Sequence, residues 1–568
     1  MKQPSFQSRI RIVAVCVFIV ATIFLVRLFS LQIINKNVYA DKADRQYVTP
    51  SGNVFNRGDI FFSKKDGVLV SAASVTTGFK IAINPKKIED EEAVYEKLSP
   101  YLKMSKETFI YRASRKDDSY EEVATGLTKE QVTEIETLKI TGLSIFKQNW
   151  RNYPSGNLAS HTIGFLAYKG DDLMGQYGLE RYYNEVLSKP KDEAYVNFFA
   201  EVFSNIKETF SDTVKGDIVT TIEPVVAHTL QRELESVMQN WKADEAGGVI
   251  INPMNGEIYA LAGLPDFDLN NFKEVKSTSV YRNPLVENVF EFGSVIKPLV
   301  VASGLDAGVI TPKTEYYDAG SVVVDKKVIN NFDKKGRGKV TIQDVLNQSL
   351  NTGMVFVEQK LGHEKFRNYM KSFGIGEKTG IDLPNETSGL IRNLDVNRNL
   401  EYANASFGQG IAITPIEAVR AFSVLANGGN MITPHLAKEI KFENGLTKKL
   451  EYPFTKTNLL SQESTSSITE MLIKVYESYD SGRHKIPNYT VATKTGTAQI
   501  AKETGGGYYD DRNMHSFFGY FPARDPKFLI FLYVKNPRGV KYASQTLIPP
   551  FNSLAKFLIN YYNLPPDR

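Results

Sequence analysis

Phe292-Gly293-Ser294-Val295-Ile296-Lys297-Pro298 is the stretch on which the fold and the chemistry of this chain hang. Ser294 and Lys297 stand three apart, so on a helix they share one face. A serine hydroxyl is a poor nucleophile until a base takes its proton, and a lysine buried enough to be neutral can be that base. Gly293 leaves room for a substrate to approach. A helix that begins at Ser294 also presents unbonded backbone N–H groups to a developing oxyanion. Ser-x-x-Lys alone decides nothing, because it recurs at Ser144, Ser188, Ser204 and Ser553. Order and context decide. Ser349-Leu350-Asn351 follows, and then Lys494-Thr495-Gly496-Thr497. Ser349 supplies a second hydroxyl for proton relay, and Asn351 an amide that orients a peptide-like substrate. Val491 to Ala498, rich in Val and Thr, predicts a strand that can lie beside an extended peptide. Lys494 and the hydroxyls of Thr495 and Thr497 suit a carboxylate, and Gly496 permits close backbone approach. Ser-x-Asn recurs at Ser51 and Ser155, and Lys-Thr-Gly at Lys378. The Lys378 copy lies in a Gly-rich run from Phe373 to Pro384. There Glu377 stands where a phosphate loop needs Gly, and Pro384 rather than a helix follows, so the run is read as a turn.

Around this core the chain is long, at 568 residues, which implies two to four domains. A 42% hydrophobic and 23% charged composition is globular and excludes disorder, collagen and a polytopic membrane protein. Lys+Arg 68 against Asp+Glu 64 leaves +4, without the charge excess of a nucleic-acid binder. The lone cysteine, Cys16, excludes an intrachain disulfide and any zinc site needing two thiols. The histidines are scattered, so no metal and no cofactor is expected.

Residues 12 to 34 are predicted to form one membrane helix. The apolar run Ile12 to Val26 covers about 22 Å as a helix, and extension through Arg27 to Ile34 gives about 34 Å, enough for a hydrocarbon core of about 30 Å. Arg27 then lies near the far end, where it can snorkel to the headgroups. Lys2, Arg9 and Arg11 precede the run, which puts residues 1 to 11 in the cytoplasm and the rest outside. A cleaved signal peptide competes, with Val38-Tyr39-Ala40 as its cleavage site, but the apolar stretch outlasts an h-region.

Beyond the anchor, residues 35 to 215 are mixed and polar. A strand is expected at Gly78 to Ile83, helices at Glu91 to Leu102 and Thr128 to Leu138, and surface hairpins over Ser188 to Lys215. From about 216 the pattern changes. Asp217 to Ile222 predicts a strand, and Glu223-Pro224 opens an amphipathic helix to Trp241. Gly248 to Leu261 predicts a hairpin tightened at Asn255-Gly256. Helical patterns dominate from about 294 to 425. Strands follow at Val491 to Ile500 and Phe528 to Val534, then a helix at Phe551 to Tyr561.

The trio in this order resembles the penicillin-binding transpeptidases. Phe373 to Pro384, Phe407-Gly408-Gln409-Gly410-Ile411 with Thr414-Pro415, and His515-Ser516-Phe517-Phe518-Gly519-Tyr520 with Pro522 resemble framework segments of that family. Arg57-Gly58-Asp59-Ile60, Arg151-Asn152-Tyr153-Pro154, His161 to Gly164 and Gly178-Leu179-Glu180 resemble its N-terminal pedestal. Ile60 to Gly67, Thr493 and Leu350 differ from the usual family residues. No Glu-Asp-x-x-Phe segment of a glycosyltransferase is present.

The resemblance therefore implies a class B, monofunctional peptidoglycan D,D-transpeptidase, with the short gap between Gly164 and Gly178 closer to the septal (FtsI-type) branch. It implies an α+β architecture: a membrane helix (12–34), an elongated pedestal or dimerisation-like domain (35–215), and a serine-acyltransferase domain (216–568) with an antiparallel sheet flanked by helices. It further implies that Ser294 is the nucleophile, Lys297 the general base, Ser349 the relay and Asn351 the substrate-orienting amide. Lys494, Thr495 and Thr497 would hold the substrate carboxylate, Gly496 would let the substrate backbone come close, and the N–H groups of Ser294 and Thr497 would form the oxyanion hole. Implied partners are stem peptides of peptidoglycan, β-lactams as inhibitors, a SEDS-family glycosyltransferase and proteins of division or elongation. Arg27 and its apolar surroundings are candidates for the glycosyltransferase contact. Two rivals stay open: a hydrolase such as a D,D-carboxypeptidase or β-lactamase, and a catalytically silent division scaffold.

Overall fold

The computed structural model describes residues 56–169, 172–188, 215–502 and 506–568, together with the helical residues Phe18, Thr22 and Phe24. The anchor expected at 12–34 otherwise lies outside the described residues, as do most of the hairpins expected over Ser188 to Lys215. Among the described residues no helix is long and apolar enough to cross a membrane.

The chain divides into two compact units. The smaller includes residues 76–150. In it, the second half of the strand Leu69–Ile83 pairs antiparallel with Glu121–Leu127, Phe79 opposite Leu127 and Ile83 opposite Glu121. Helices Glu91–Leu98, Lys106–Ala113 and Lys129–Thr137 cover it. Asp90, Ser105 and Thr128 cap them, each accepting a backbone N–H of the first turn. Ile81, Ile83, Leu98, Phe109, Val123 and Ile135 form a core of their own.

The larger unit gathers 57–75, 151–189 and 212–568. Its centre is a five-stranded antiparallel sheet in the order Ala492–Ala501, Tyr508–Phe521, Phe528–Lys535, Glu245–Ile251, Ile258–Leu264. The middle strand reads Phe-Leu-Ile-Phe-Leu-Tyr-Val-Lys and is buried up to its last residue, because helices lie on both faces. Two adjacent side chains show this. Phe518 stacks on Phe422 of helix Pro415–Ala426 at 4.1 Å. Phe517 packs against Phe551 of helix Ala543–Tyr562 at 4.7 Å. Neighbouring residues of a strand point to opposite faces, so these helices sit on opposite sides. Pro224–Trp241 packs against Ala543–Tyr562, with Glu223 as its N-cap. Helices Lys297–Asp306, Asn351–Leu361 and Gln462–Ser478 stand with Pro415–Ala426.

Two local expectations are corrected. The 248–261 hairpin is wider than a two-residue turn. Its strands end at Ile251 and restart at Ile258, only Gly256 has positive φ (+89°), and the Asn255 side chain instead accepts the Glu257 N–H. The C-terminal helix begins at Ala543, well before Phe551, despite Pro549 and Pro550 inside it. Prolines read as breakers because they lack a donor and crowd the preceding turn. Here the apolar positions Leu547, Ile548, Phe551, Leu554 and Leu558, all buried, hold the helix to the sheet.

The framework run Phe373 to Pro384 is a turn-rich loop, and Arg420 organises it. Its guanidinium donates to the carbonyls of Gly374, Glu377 and Lys378. Lys378 thus serves the loop through its backbone.

Candidate active site

Phe292 and Gly293 bring the Ser294 segment against the edge strand. Ser516 Oγ, on the neighbouring strand, donates to Phe292 O at 2.8 Å. A Cβ on Gly496 would lie 2.4 Å from that same oxygen and 2.3 Å from Ser516 Oγ, so only glycine fits between strand and segment. A short 3-10 turn, Gly293–Ile296, then runs into helix Lys297–Asp306. Ser294 stands part-exposed at its start, where its N–H has no intrahelical partner. Among the described residues Ser294 Oγ has no hydrogen-bond partner.

Lys297 is fully buried. Its Nζ donates to Ser349 O at 2.6 Å and Asn351 Oδ1 at 2.8 Å, and lies 3.2 Å from Ser349 Oγ. Lys494, 1% exposed, donates to the same Ser349 Oγ at 3.1 Å and to Thr495 O at 2.9 Å. Two ammonium groups around one hydroxyl are costly in a dry site. Burial, and then the charge of Lys494, push Lys297 well below the usual lysine range. Burial pushes Lys494 down to about 7. A neutral Lys297 has two N–H groups and one lone pair. Ser349 O and Asn351 Oδ1 take the two hydrogens, which leaves the lone pair for a hydroxyl.

The Ser349 loop is held by residues that no sequence motif marks. Ser349 itself is left-handed (φ 54°), which costs a non-glycine residue roughly 1–3 kcal/mol. Leu350, unusual by sequence, is fully buried and anchors the turn in the core. Asn331 Oδ1 accepts the N–H groups of Asn351 and Thr352, the first two of helix Asn351–Leu361. Asn331 Nδ2 in turn donates to both oxygens of Asp318, at 3.0 Å each. Both side chains are 1% exposed. Asn351 Nδ2 donates to Asn330 O at 3.0 Å.

Ala492–Ala501 is the outer strand of the sheet, so one backbone edge is open. Lys494 and Gly496 point inward and are buried, whereas Thr495 is half-buried and Thr497 exposed. Thr497 Oγ1 accepts Ala543 N–H at 3.2 Å. The fold thus brings Ser294, Lys297, Ser349, Asn351, Lys494, Thr495, Gly496 and Thr497 to one place. Among the described residues, Ser144, Ser155, Ser188, Ser553 and Lys378 take no part in it, and Ser51 and Ser204 lie outside the described residues. Sequence reasoning missed Asn331, Asp318 and Tyr479, whose hydroxyl accepts Thr495 N–H at 3.1 Å, and read Ser516 only as part of a framework segment. His515, deeply buried and pushed down to about 4, is neutral.

The pedestal-like segments also meet, away from these side chains. Glu180, fully buried, receives Arg57 Nε at 2.6 Å and Arg151 Nε at 2.6 Å. Arg57 Nη1 reaches Asn184 Oδ1 and Ser188 Oγ, each at 3.0 Å. Arg151 Nη1 donates to Gly58 O at 2.8 Å.

Residues 246–554 match the penicillin-binding protein transpeptidase domain, and residues 54–220 match the penicillin-binding protein dimerisation domain. The stage V sporulation protein D of Bacillus subtilis is 31% identical over 503 residues, covering 87% of this chain and 76% of that protein. The peptidoglycan D,D-transpeptidase FtsI of Buchnera aphidicola subsp. Schizaphis graminum is 25% identical, covering 98% and 96%. The crystal structure of penicillin-binding protein 2X from Streptococcus thermophilus shares the fold with a TM-score of 0.72 at 21% identity, covering 90% of this chain and 80% of that one. A buried pair of lysines on one serine, carried by a sheet of this order and matched by both domains, places the chain in the penicillin-binding protein transpeptidase family.

Proposed function

We propose that this chain cross-links peptidoglycan as a serine-type D,D-transpeptidase, with Ser294 as the nucleophile, and that β-lactams acylate the same oxygen. The observation that carries the assignment is the convergence of Lys297 and Lys494 on Ser349 Oγ beside Ser294. Ser294 Oγ attacks the carbonyl between the last two D-alanines of a stem peptide. Its proton passes to the neutral amine of Lys297, directly or through Ser349. The oxyanion forms between the N–H groups of Ser294 and Thr497. As the C–N bond breaks, the D-alanine nitrogen takes a proton from the Ser349–Lys494 side and leaves. An amine of a neighbouring stem then attacks the acyl-serine, forms the new amide and returns Ser294 to its hydroxyl. Asn351 orients the donor amide. Lys494, Thr495 and Thr497 hold the terminal carboxylate.

The same reading puts 12–34 in the membrane as a single anchor, 1–11 in the cytoplasm, 35–215 in a pedestal and 216–568 in the catalytic domain outside the cell membrane. A SEDS-family glycosyltransferase and division or elongation proteins are the partners it expects. The short gap between Gly164 and Gly178 is what favours the septal branch.

Labelling with a fluorescent penicillin tests the assignment. Wild-type protein should label, and Ser294→Ala should not. Equal labelling of both would sink Ser294 as the nucleophile, and rapid turnover of the label would favour a hydrolase.

A further inference from the structure

One hydrogen bond beside the site belongs to a residue that the reaction above does not use. Tyr479 follows helix Gln462–Ser478, and its hydroxyl accepts Thr495 N–H at 3.1 Å. That N–H faces the open edge of the outer strand, because it is not given to the neighbouring strand. The Thr495 carbonyl faces the same edge and is taken by Lys494 Nζ at 2.9 Å. Both backbone groups of Thr495 are therefore occupied by side chains. Strand periodicity brings Thr497 to the same edge, two residues on. Its carbonyl lies beside the nucleophile segment, 3.3 Å from where a Cβ of Gly293 would be.

An extended peptide that adds to this edge pairs at Thr497 and meets a filled position at Thr495, about 7 Å further along. This argument rests on the acyl-serine reading. With the scissile carbonyl at Ser294 and Thr497, the leaving residue runs toward Thr495 and Lys494. One residue ending in a carboxylate fits that span. A second would have to pair with Thr495 and displace the Tyr479 hydroxyl. The ring is fixed for this task by Tyr476 and Phe517, each at 6.5 Å between centroids. Burial also raises its phenol, so the hydroxyl keeps its proton.

We propose that Tyr479 is a specificity-determining positioning residue: its hydroxyl closes the strand edge at Thr495, so that the site takes donor peptides by their carboxyl terminus and rejects chains that run on.

The test uses the full chain as wild type, Tyr479→Phe and Tyr479→Ala. Two donors are compared, diacetyl-Lys-D-Ala-D-Ala and the same peptide extended by a C-terminal glycine, by release of D-Ala or D-Ala-Gly. Penicillin labelling of Ser294 is followed in the same preparations. The expected result is that kcat/KM for the extended donor, relative to the shorter one, rises roughly three- to tenfold in Tyr479→Ala, about the worth of one hydrogen bond. Tyr479→Phe, which keeps the ring, should move the ratio the same way but less, and decides the matter if the alanine variant no longer labels. Intact labelling with an unchanged ratio in Tyr479→Phe and Tyr479→Ala overturns the role of Tyr479 and leaves the transpeptidase reading standing. Absent labelling in the wild type overturns both.

Discussion

Lys297 and Lys494 are chemically alike, yet their surroundings assign them different tasks. Both are buried, and both lose affinity for a proton because a charged amine is poorly solvated there. Lys297 also feels the charge of Lys494, which acts in the same direction as burial. The proposed mechanism uses a neutral Lys297 beside a protonated Lys494. Acylation by penicillin should fall on the acid side as Lys297 gains a proton. It should fall again above about 7 as Lys494 loses the charge that attracts the carboxylate. Acylation rate measured from pH 5 to 9 should thus be bell-shaped. In Lys494→Arg the alkaline limb should vanish, because a guanidinium does not titrate there, even if the overall rate is lower. An unchanged alkaline limb would remove Lys494 from this role. The same shifts have a stability consequence. Between the folded pKa of about 7 and the usual 10.5 the unfolded chain binds more protons at Lys494, so this residue's contribution to stability rises with pH across that window.

Among the elements, the edge strand and the Ser294 segment sit at backbone distance, and Gly496 is where that distance is set. A methyl group there would meet Phe292 O at 2.4 Å, and a backbone oxygen cannot rotate away. Gly496→Ala is expected to keep cooperative unfolding but to slow penicillin acylation about 100-fold, the cost of moving reacting groups by about 1 Å. Adding Ser516→Ala should not restore the rate, because the second obstacle is main chain. A near-native rate in Gly496→Ala would mean that the strand yields without disturbing Ser294. What the sequence reveals at this scale follows from how local each signal is. Ser294, Lys297, Ser349, Asn351 and Lys494 are readable because the chemistry fixes residue types at short spacings in a fixed order. Strands such as Phe528–Lys535 and capped helices such as Lys129–Thr137 are readable because their patterns are periodic. Asn331, Asp318 and Tyr479 are not readable. Asp318 ends the strand Glu315–Asp318, Asn331 follows the strand Lys327–Asn330 and Tyr479 opens a 3-10 turn, so they come from separate elements and reach the site only through tertiary contacts, with no spacing rule to mark them. The Ala543–Phe551 part of the last helix is hidden for the opposite reason: a strong local breaker signal at Pro549-Pro550 is overridden by burial against the sheet.

At the scale of the whole molecule, the larger unit is held by contacts between segments far apart in the chain. The Arg57–Glu180–Arg151 triad ties residues 57–75 to residues 151–189 with two 2.6 Å ion pairs, and Arg57 Nη2 adds a bond to Glu180 O at 2.7 Å. Tyr183, one turn beyond Glu180, donates to Asp382 at 3.0 Å, and Asp382 accepts Leu436 N–H and Ala437 N–H. Residues 57–75 and 151–189 are thereby fastened into one body with 212–568. Each charge of the triad is desolvated, so the ions themselves add little net stability, but an unmatched member is expensive. Glu180→Gln keeps the shape and removes the charge, leaving two buried guanidinium groups facing a neutral amide. The expected cost is about 3–5 kcal/mol, a large part of the 5–15 kcal/mol typical of a domain. Denaturant unfolding followed by fluorescence measures it. The triple variant Arg57→Met, Glu180→Leu, Arg151→Met should be less destabilised than Glu180→Gln, since apolar side chains replace the ions without stranding a charge. Penicillin labelling of the protein that remains folded should persist in both, because no triad atom bonds to Ser294, Lys297, Ser349 or Lys494. If Glu180→Gln unfolds like wild type, the triad is not what joins these segments, and the Tyr183–Asp382 link is the next to test.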